Sequence, residues 1–350
     1  MASRIKADYP WTVSPLIVNA PMAGFAGGKL AGSVSRAGGL GLIGSDMDMN
    51  RLASELEIAS KIIHDSPNLV KASQDTLPVG VGILAFITDI EKALPVVQKY
   101  RPRAVWLFAA RQLSDYKTWA ERVREVTGGK TKIWIQIGSV VKALEVLKLC
   151  KPDVLIAQGI DAGGHGFERG AGVISLVPEM RDAMDANGFQ DVCLVASGGI
   201  ADGRGVAAAW ALGADGIVMG TRFLAAEETL IHPTYRDAIL QGKDGGQFTV
   251  RHKVFDNLKG PTIWPDGYDG RAIVSKTYRD MEEGVSIEEI RRRVKESEAA
   301  TGKDYGVEGR TAVWAGAGVG LVNEVQKAGD ILEEVRAKSM DVLRGAKSLL

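Results

Sequence analysis

Cysteine, histidine and aromatic residues are scarce in this 350-residue sequence, and neither sign of charge is in excess. The two cysteines, Cys150 and Cys193, lie in or beside apolar runs without metal-ligand spacing, which argues against a disulfide framework and against a metal site. The 43 basic residues are balanced by 43 acidic ones. Nothing therefore indicates nucleic acid or an anionic membrane as a partner.

Long hydrophobic runs are also missing. No apolar stretch reaches the roughly 18 residues that a membrane-spanning helix needs. Residues 1–15 lack the apolar core of a signal peptide. Together with the reduced cysteines, this predicts a cytoplasmic protein.

Glycine, by contrast, is abundant, with 42 residues in all. The glycines cluster where apolar runs end, and not in linker-like stretches. Those are the places where a backbone turns tightly or approaches a ligand.

Eight short runs are interpreted as strands, because each is apolar almost throughout and therefore suits burial on both faces. They are Leu16–Ala20, Leu40–Gly44, Pro78–Leu84, Ala104–Phe108, Lys132–Ile137, Asp153–Ala157, Val192–Ala196 and Gly216–Met219. The helical segments predicted between them are Lys29–Ala37, Asn50–Ile63, Asp89–Tyr100, Asp115–Thr127, Val140–Cys150, Ser175–Ala186 and Gly203–Leu212. Eight such units predict an α/β protein with a TIM (β/α)8 barrel. A doubly wound sheet is the alternative, but its glycine loop follows the first strand alone, whereas here such loops follow the first, sixth, seventh and eighth.

The pattern changes after the eighth strand. Residues 225–241 look helical, and Lys243–Lys276 is irregular and rich in glycine, proline and aromatics. Ser286–Ala300 is a charged helix with Ser286 as N-cap and Glu289 at the capping-box position. We expect a barrel over residues 1–224 and a mostly helical addition over 225–320 beside the barrel mouth. Residues 321–350 are expected to form C-terminal helices that return to the barrel.

The segment after the first strand, Ala20–Gly24, is made of small residues around a methionine. Such a backbone can approach a flat ring, and a thioether offers a soft apolar face. Taken alone, the segment is equally typical of a plain βα turn. We expect Pro21, Met22 and Ala23, together with Gly82 of the third strand, to contact a cofactor ring.

Two glycine-rich loops follow the last two strands. Consecutive glycines expose backbone N–H groups beside a helix end, where an anion binds well. Barrels commonly build a phosphate site from these two loops. A phosphate held by main chain suits FMN better than a substrate that has to leave quickly. The expected contacts are Ser197, Gly198, Gly199, Met219, Gly220 and Thr221.

The loop after the sixth strand contains His165, one of four histidines. His64 falls in a predicted surface helix, His232 precedes a proline and His252 lies in the irregular region, so these three are expected to be structural or solvated. His165 follows the C-terminal end of a barrel strand, among glycines. There an imidazole can act as a base or as a hydrogen-bond donor.

Two amides belong to the same barrel mouth. Gln136 and Gln158 end the fifth and sixth strands, and an unsatisfied buried amide costs about 1–3 kcal/mol. We expect both to bond the ring edge of the cofactor, with Gly163 and Gly164 also in contact with it.

The C-terminal glycine loop, Trp314–Gly320, superficially suggests a nucleotide site. However, Leu321 stands where the G-x-G-x-x-G pattern needs glycine, and no strand–helix unit is evident around it. We expect this loop to line the substrate cavity.

Four segments together resemble the nitronate monooxygenase family: Ala20–Gly24, Asp161–His165, Ser197–Ile200 and Met219–Phe223. The resemblance implies a TIM barrel, tightly bound FMN, and oxidation of an alkyl nitronate by O2 to a carbonyl compound and nitrite. It implies that His165 is the catalytic histidine, as the base toward a nitroalkane or as a hydrogen-bonding group toward a nitronate. The FMN contacts that it implies are Gln158, Gly163, Gly198, Gly199, Gly220 and Thr221.

Other functions on the same fold stay open at this point. An FMN-dependent NAD(P)H oxidoreductase of the quinone-reductase or enoyl-ACP-reductase type is the nearest, although no second nucleotide loop is visible. A flavin-binding protein without catalysis and a phosphosugar isomerase or synthase are further alternatives. The sequence also leaves a homodimer open.

Overall fold

A computed structural model describes residues 2–73, 75–301 and 303–347 of the chain. The strands among these residues are β1 Leu16–Asn19, β2 Gly41–Gly44, β3 Leu77–Leu84, β4 Pro102–Phe108, β5 Lys132–Ile137, β6 Val154–Gln158, β7 Gly164–Phe167, β8 Cys193–Ser197, β9 Gly216–Met219, β10 Thr249–His252 and β11 Tyr268–Ile273.

The helices of the barrel half are α1 Ala2–Asp8, α2 Gly28–Arg36, α3 Met49–His64, α4 Pro67–Ser73, α5 Ile90–Tyr100, α6 Leu113–Thr127, α7 Val140–Cys150, α8 Val173–Ala186 and α9 Gly203–Ala211. Those that follow are α10 Thr221–Leu224, α11 Pro233–Leu240, α12 Gly245–Phe248, α13 Lys276–Glu282, α14 Ile287–Thr301 and α15 Ala328–Lys347. Two 3-10 helices cover Lys253–Asn257 and Ala317–Leu321.

Eight strands form one parallel sheet in the order β1-β9-β8-β6-β5-β4-β3-β2. A parallel bridge between Val18 of β1 and Leu40, just before β2, brings the two outer strands together and nearly closes the barrel. Helices alternate with the strands, and strand neighbours follow a circular order in place of the reversal that a doubly wound sheet requires. The predicted TIM barrel is confirmed.

The inside of the barrel is filled by every second residue of the strands, because side chains alternate between the two faces. Trp106 and Trp134 stack there with ring centroids 6.1 Å apart. The amino end of the barrel is closed by Tyr9, whose hydroxyl accepts a 2.6 Å hydrogen bond from Trp134 Nε1. Burial holds the pKa of Tyr9 well above its usual range, so the hydroxyl stays neutral and the pairing keeps both polar groups satisfied.

Several helices begin at a residue whose side chain caps the first turn. The Asp48 side chain accepts from the backbone amides at the start of α3, and Asp89 does the same for α5. Ser286 Oγ accepts from the Glu289 amide at 3.3 Å, which confirms the predicted N-cap of α14. These bonds satisfy N–H groups that the first helical turn leaves without intrahelical partners.

The region after the barrel contains helices, as predicted, and also two strands that the sequence did not indicate. The prediction that Lys243–Lys276 is irregular is wrong for β10 and β11, which pair with each other antiparallel. β11 then pairs antiparallel with β7. The partner strand is thus supplied by the loop after β6, a contact between distant chain segments that local patterns do not reveal.

The C-terminal helix α15 packs against α9 and α2 of the barrel wall. Arg336 donates to the carbonyls of Ala37 and Gly38 at the end of α2. The sequence prediction for residues 321–350 covers three residues, 348–350, that lie outside the described part of the chain. None of the described helices is long and apolar enough to cross a membrane.

Cys150 and Cys193 are both buried and are not joined in a disulfide. Burial raises the pKa of the Cys150 thiol to about 11, so at pH 8 only about one thiol in a thousand is ionised. We expect iodoacetamide at pH 8 to alkylate Cys150 about 100-fold more slowly in the native protein than in guanidinium chloride. Peptide mass spectrometry over a time course measures this rate. Complete native labelling on the denatured timescale would contradict the predicted burial.

Candidate active site

A cavity of about 360 Å³ opens at the carboxyl ends of the barrel strands. This is the end of a TIM barrel at which enzymes of the fold place their active sites. Almost every site residue predicted from the sequence lines it: Pro21, Met22, Ala23, Gly82, Gln136, Gln158, Gly163, Gly164, His165, Ser197, Gly198, Gly199, Gly220 and Thr221.

Met219 is the exception. Its side chain is fully buried with Ile217 in the layer between the strands and the surrounding helices. Val218, which has the opposite orientation on β9, lies inside the barrel and lines the cavity. The Met219 side chain therefore does not line this cavity. Met219 instead contributes its carbonyl, which accepts a 2.9 Å bond from the Ala20 amide.

The two loops predicted to hold a phosphate are close together and rich in uncommitted donors. Among the described residues, none accepts a hydrogen bond from the backbone amides of Gly198, Gly199, Gly220 or Thr221. Gly198 and Gly199 have φ angles of +108° and +73°, a backbone that favours glycine. The start of α9 itself is already occupied, because the Asp202 side chain caps it. The donors available to an anion are therefore those of the loops and not those of that helix.

The C-terminal glycine loop packs backbone to backbone on the loops that follow β6 and β8. A Cβ atom at Gly163 would lie 2.3 Å from the Gly316 nitrogen, and one at Gly318 would lie 2.6 Å from the Gly199 carbonyl oxygen. The Gly316 amide donates to the Thr221 hydroxyl at 3.0 Å. Since no larger residue fits these contacts, the glycines let three chain segments form one wall, and the predicted cavity-lining role of this loop is confirmed.

Gln136 and Gln158 both lie in the cavity wall, as predicted. Gln136 Oε1 accepts from Trp106 Nε1 at 2.9 Å, and Gln158 Nε2 donates to the His165 carbonyl at 3.1 Å. The other amide atom of each side chain, Gln136 Nε2 and Gln158 Oε1, is buried and has no partner among the described residues. A fixed amide with an unused buried atom is suited to bind a ligand, because leaving that atom unpaired is costly.

His165 lies in β7, not in a loop as predicted, and it is paired opposite Gly270 of β11. A Cβ atom at Gly270 would be 2.3 Å from the Trp314 ring, so the glycine leaves room for that indole. Trp314 in turn lies beside His165, with ring centroids 4.7 Å apart. The sheet formed by β10, β11 and β7 thus fixes the backbone of His165 and leaves room for the Trp314 ring beside it.

Two further contacts of His165 come from residues that the sequence prediction missed. Its Nε2 lies 2.5 Å from Oδ1 of Asp256, which follows β10 in a 3-10 helix. Its ring stacks on Trp264 with centroids 3.7 Å apart and planes 10° from parallel. The only local signal was an acidic residue directly after two apolar ones, Val254 and Phe255, because a buried acid normally needs a partner.

The cavity wall is almost free of ionisable groups. Its described residues include no lysine, arginine, aspartate or glutamate, and His165 is the one histidine among them. Burial raises the pKa of Tyr235, the wall's tyrosine, far above its usual value, so Tyr235 stays neutral. His165 is therefore the one side chain among the described wall residues that offers a ring nitrogen as a candidate general base.

A parallel barrel with a cavity at the carboxyl ends of its strands is the architecture of TIM-barrel enzymes. The family model for nitronate monooxygenase matches residues 10–337. The chain belongs to the nitronate monooxygenase family.

Relatives of known name agree with this assignment. The chain is 40% identical to "Nitronate monooxygenase npaC" of Metarhizium robertsii, over 95% of this chain and 93% of that protein. It is 36% identical to "Nitronate monooxygenase" of Neurospora crassa, over 98% and 93% of the two chains.

Solved structures support the fold. FabK from Thermotoga maritima superposes with a TM-score of 0.74 at 24% identity, covering 99% of both chains. A nitroalkane oxidase from Streptomyces ansochromogenes superposes with a TM-score of 0.73 at 22% identity, over 98% of this chain and all of the other. At this level of identity the likeness establishes a shared architecture.

Proposed function

We propose that this protein binds FMN in the barrel-mouth cavity and oxidises alkyl nitronates with O2 to carbonyl compounds and nitrite. The family assignment supports a flavin enzyme that acts on nitronates. The observation that carries the proposal is the position of His165, the one histidine in a neutral wall, in the same cavity as uncommitted backbone amides.

The residues present fit FMN at both of its ends. The amides of Gly198, Gly199, Gly220 and Thr221 would hold the phosphate through main-chain donors. At the ring end, Gln136 Nε2 is a buried donor without a partner. A volume of about 360 Å³ lies within the range of small-molecule sites.

The ring of the cofactor would approach backbone on the opposite wall. A Cβ atom at Gly82 would lie 2.3 Å from Pro21, so this glycine allows Pro21 to lie against β3, with Met22 and Ala23 beside it in the wall. When bound, FMN supplies the electron transfer to O2 that side chains cannot perform.

His165 has one of two tasks, depending on the form in which the substrate arrives. A neutral nitroalkane carries an acidic proton on its α-carbon, which the imidazole can accept. A preformed nitronate needs only a hydrogen bond or a positive charge near its oxygens. In both cases Asp256, Trp264 and Trp314 keep the ring in place.

We further propose that the barrel, residues 1–224, carries the cofactor contacts, while residues 225–320 supply the side chains that hold the His165 ring in place. The C-terminal segment, described as far as residue 347, completes the barrel wall through α15. A homodimer and a cytoplasmic location stay predictions from the sequence.

The proposal is tested by the absorption spectrum of the purified protein, followed by an oxygen-electrode assay. We expect the visible bands of a flavin, and O2 uptake with nitrite release on adding an alkyl nitronate or propionate 3-nitronate. Flavin-loaded protein that releases no nitrite from any nitronate would refute the proposed activity. Protein that binds no FMN would refute the cofactor as well.

Anaerobic mixing with NADH or NADPH distinguishes the proposed monooxygenase from an NAD(P)H-dependent oxidoreductase. We expect the visible flavin band to persist under these conditions, since the described residues show no second nucleotide loop. Rapid bleaching would instead identify a reductase that takes electrons from a nicotinamide.

A further inference from the structure

The carboxylate of Asp256 is buried against the ring of His165 and has little else to bind. Its side chain is 4% exposed, and Oδ1 lies 2.5 Å from His165 Nε2. The second oxygen, Oδ2, is buried and has no partner among the described residues. A buried carboxylate with one partner is held in place by that partner, since an unpaired buried charge is strongly unfavourable.

The cations nearby on the same segment are engaged elsewhere. Lys253, at the start of the 3-10 helix that carries Asp256, pairs with Glu168 at 3.2 Å. Arg251 pairs with the buried Asp269 at 2.7 Å. Among the described residues, the imidazole of His165 is therefore the group that pairs with the carboxylate of Asp256.

The short contact determines which ring nitrogen carries the proton. Two lone pairs cannot face each other at 2.5 Å, so an ionised Asp256 requires a hydrogen on His165 Nε2. Neutral His165 then has its lone pair on Nδ1. No described residue forms a hydrogen bond with Nδ1, and stacking on Trp264 keeps the ring from turning over.

We propose that Asp256 is a positioning residue, which holds His165 in the Nε2–H form and so makes Nδ1 the atom that accepts the α-proton of a nitroalkane. This inference rests on the proposed function. The proton passes from the α-carbon to Nδ1, and the electron pair of the C–H bond moves onto the nitro group to give the nitronate. The imidazolium formed lies between the carboxylate of Asp256 and the face of Trp264, both of which favour a cation.

The tautomer is tested directly by NMR of protein labelled with ¹⁵N in its histidine rings. Couplings between ring nitrogens and carbon-bound protons distinguish the two tautomers, and the chain has only four histidines to assign. We expect His165 in the wild-type protein to be the Nε2–H form. The Nδ1–H form in the wild type would overturn the proposal, whether or not the protein oxidises nitronates.

The kinetic test uses Asp256→Asn, whose NH2 group can donate to Nε2 and so favours the unproductive tautomer. We expect kcat/KM for neutral nitroethane to fall about 10²- to 10⁴-fold, in the range of general-base effects. Activity with preformed ethyl nitronate should fall less than about tenfold, because no C–H bond is broken. With α-deuterated nitroethane, the isotope effect on kcat should increase as proton transfer becomes slower.

Two further variants distinguish positioning from packing. Asp256→Glu keeps the carboxylate and should restore part of the nitroethane activity that asparagine loses. Asp269→Asn removes a buried carboxylate of the same small sheet that does not contact the ring, and should leave the ratio of the two activities unchanged. Equal losses on both substrates for Asp256→Asn, or wild-type activity on nitroethane, would overturn the proposal. A wild-type protein inactive on nitronates would refute the proposed function instead.

Discussion

Replacing His165 by glutamine is expected to lower kcat/KM for a neutral nitroalkane by about 10²- to 10⁴-fold, the contribution of a well-placed general base. Glutamine is preferred to alanine because its amide can still donate to Asp256. Removing one member of a buried pair outright costs roughly 3–5 kcal/mol and would confuse folding with chemistry. Flavin content should be unchanged, since the phosphate loops and both glutamines are intact.

The measurement is a comparison of initial rates with nitroethane and with preformed ethyl nitronate. The nitronate rate should fall much less, because that substrate has already lost its α-proton. His64→Gln is the matched control, at the exposed end of α3, and should leave both rates unaltered. Equal losses on the two substrates would mean that His165 binds the nitro group or shapes the cavity, and is not the base.

The second large effect is expected at Gly220, where an aspartate should selectively remove the cofactor. A Cβ atom there meets only Ala20 Cβ at 3.6 Å and Met22 Sδ at 3.9 Å, and the φ angle is −102°. The folded protein can therefore accept a side chain at this position. At ~5 Å and an effective dielectric of ~20, each pair of like charges repels by about 3 kcal/mol. FMN affinity should fall at least about 100-fold.

Titration of the deflavinated protein with FMN, followed by quenching of flavin fluorescence, measures this affinity. Circular dichroism should show an unchanged thermal midpoint for the apoprotein. Gly246→Asp is the control, because its Cβ position is also open and lies on an exposed turn of α12. Normal FMN affinity in Gly220→Asp would show that the phosphate lies elsewhere.

The sequence was sufficient for the barrel because the signals involved are local. β5 and β9 begin and end where predicted, and β3 differs by one residue. Continuous apolar runs and glycine at strand ends both act within a few residues of one another. Met219 lies outside the cavity wall because the prediction assigned a whole loop to the cavity without counting the alternation of side chains along its strand.

The residues that hold the His165 ring in place could not be predicted in the same way. Asp256 lies 91 residues after His165, and their contact depends on the pairing of β7 with β11. Strand propensity in such short, glycine-containing segments is weak, and tertiary pairing decides it. Identifying His165 required only its position after a barrel strand, whereas identifying what orients it required the fold.

The pairing of β7 with β11 also has a consequence for synthesis on the ribosome. About 100 residues separate Phe167 from Tyr268, its partner in the sheet, so at about 5–20 residues per second β11 emerges roughly 5–20 s after β7. During that interval the strands and loops of the barrel can assemble, while the histidine segment still lacks its neighbour. The contacts of His165 with this small sheet are thus completed late in translation, after the last strand of the barrel has been made.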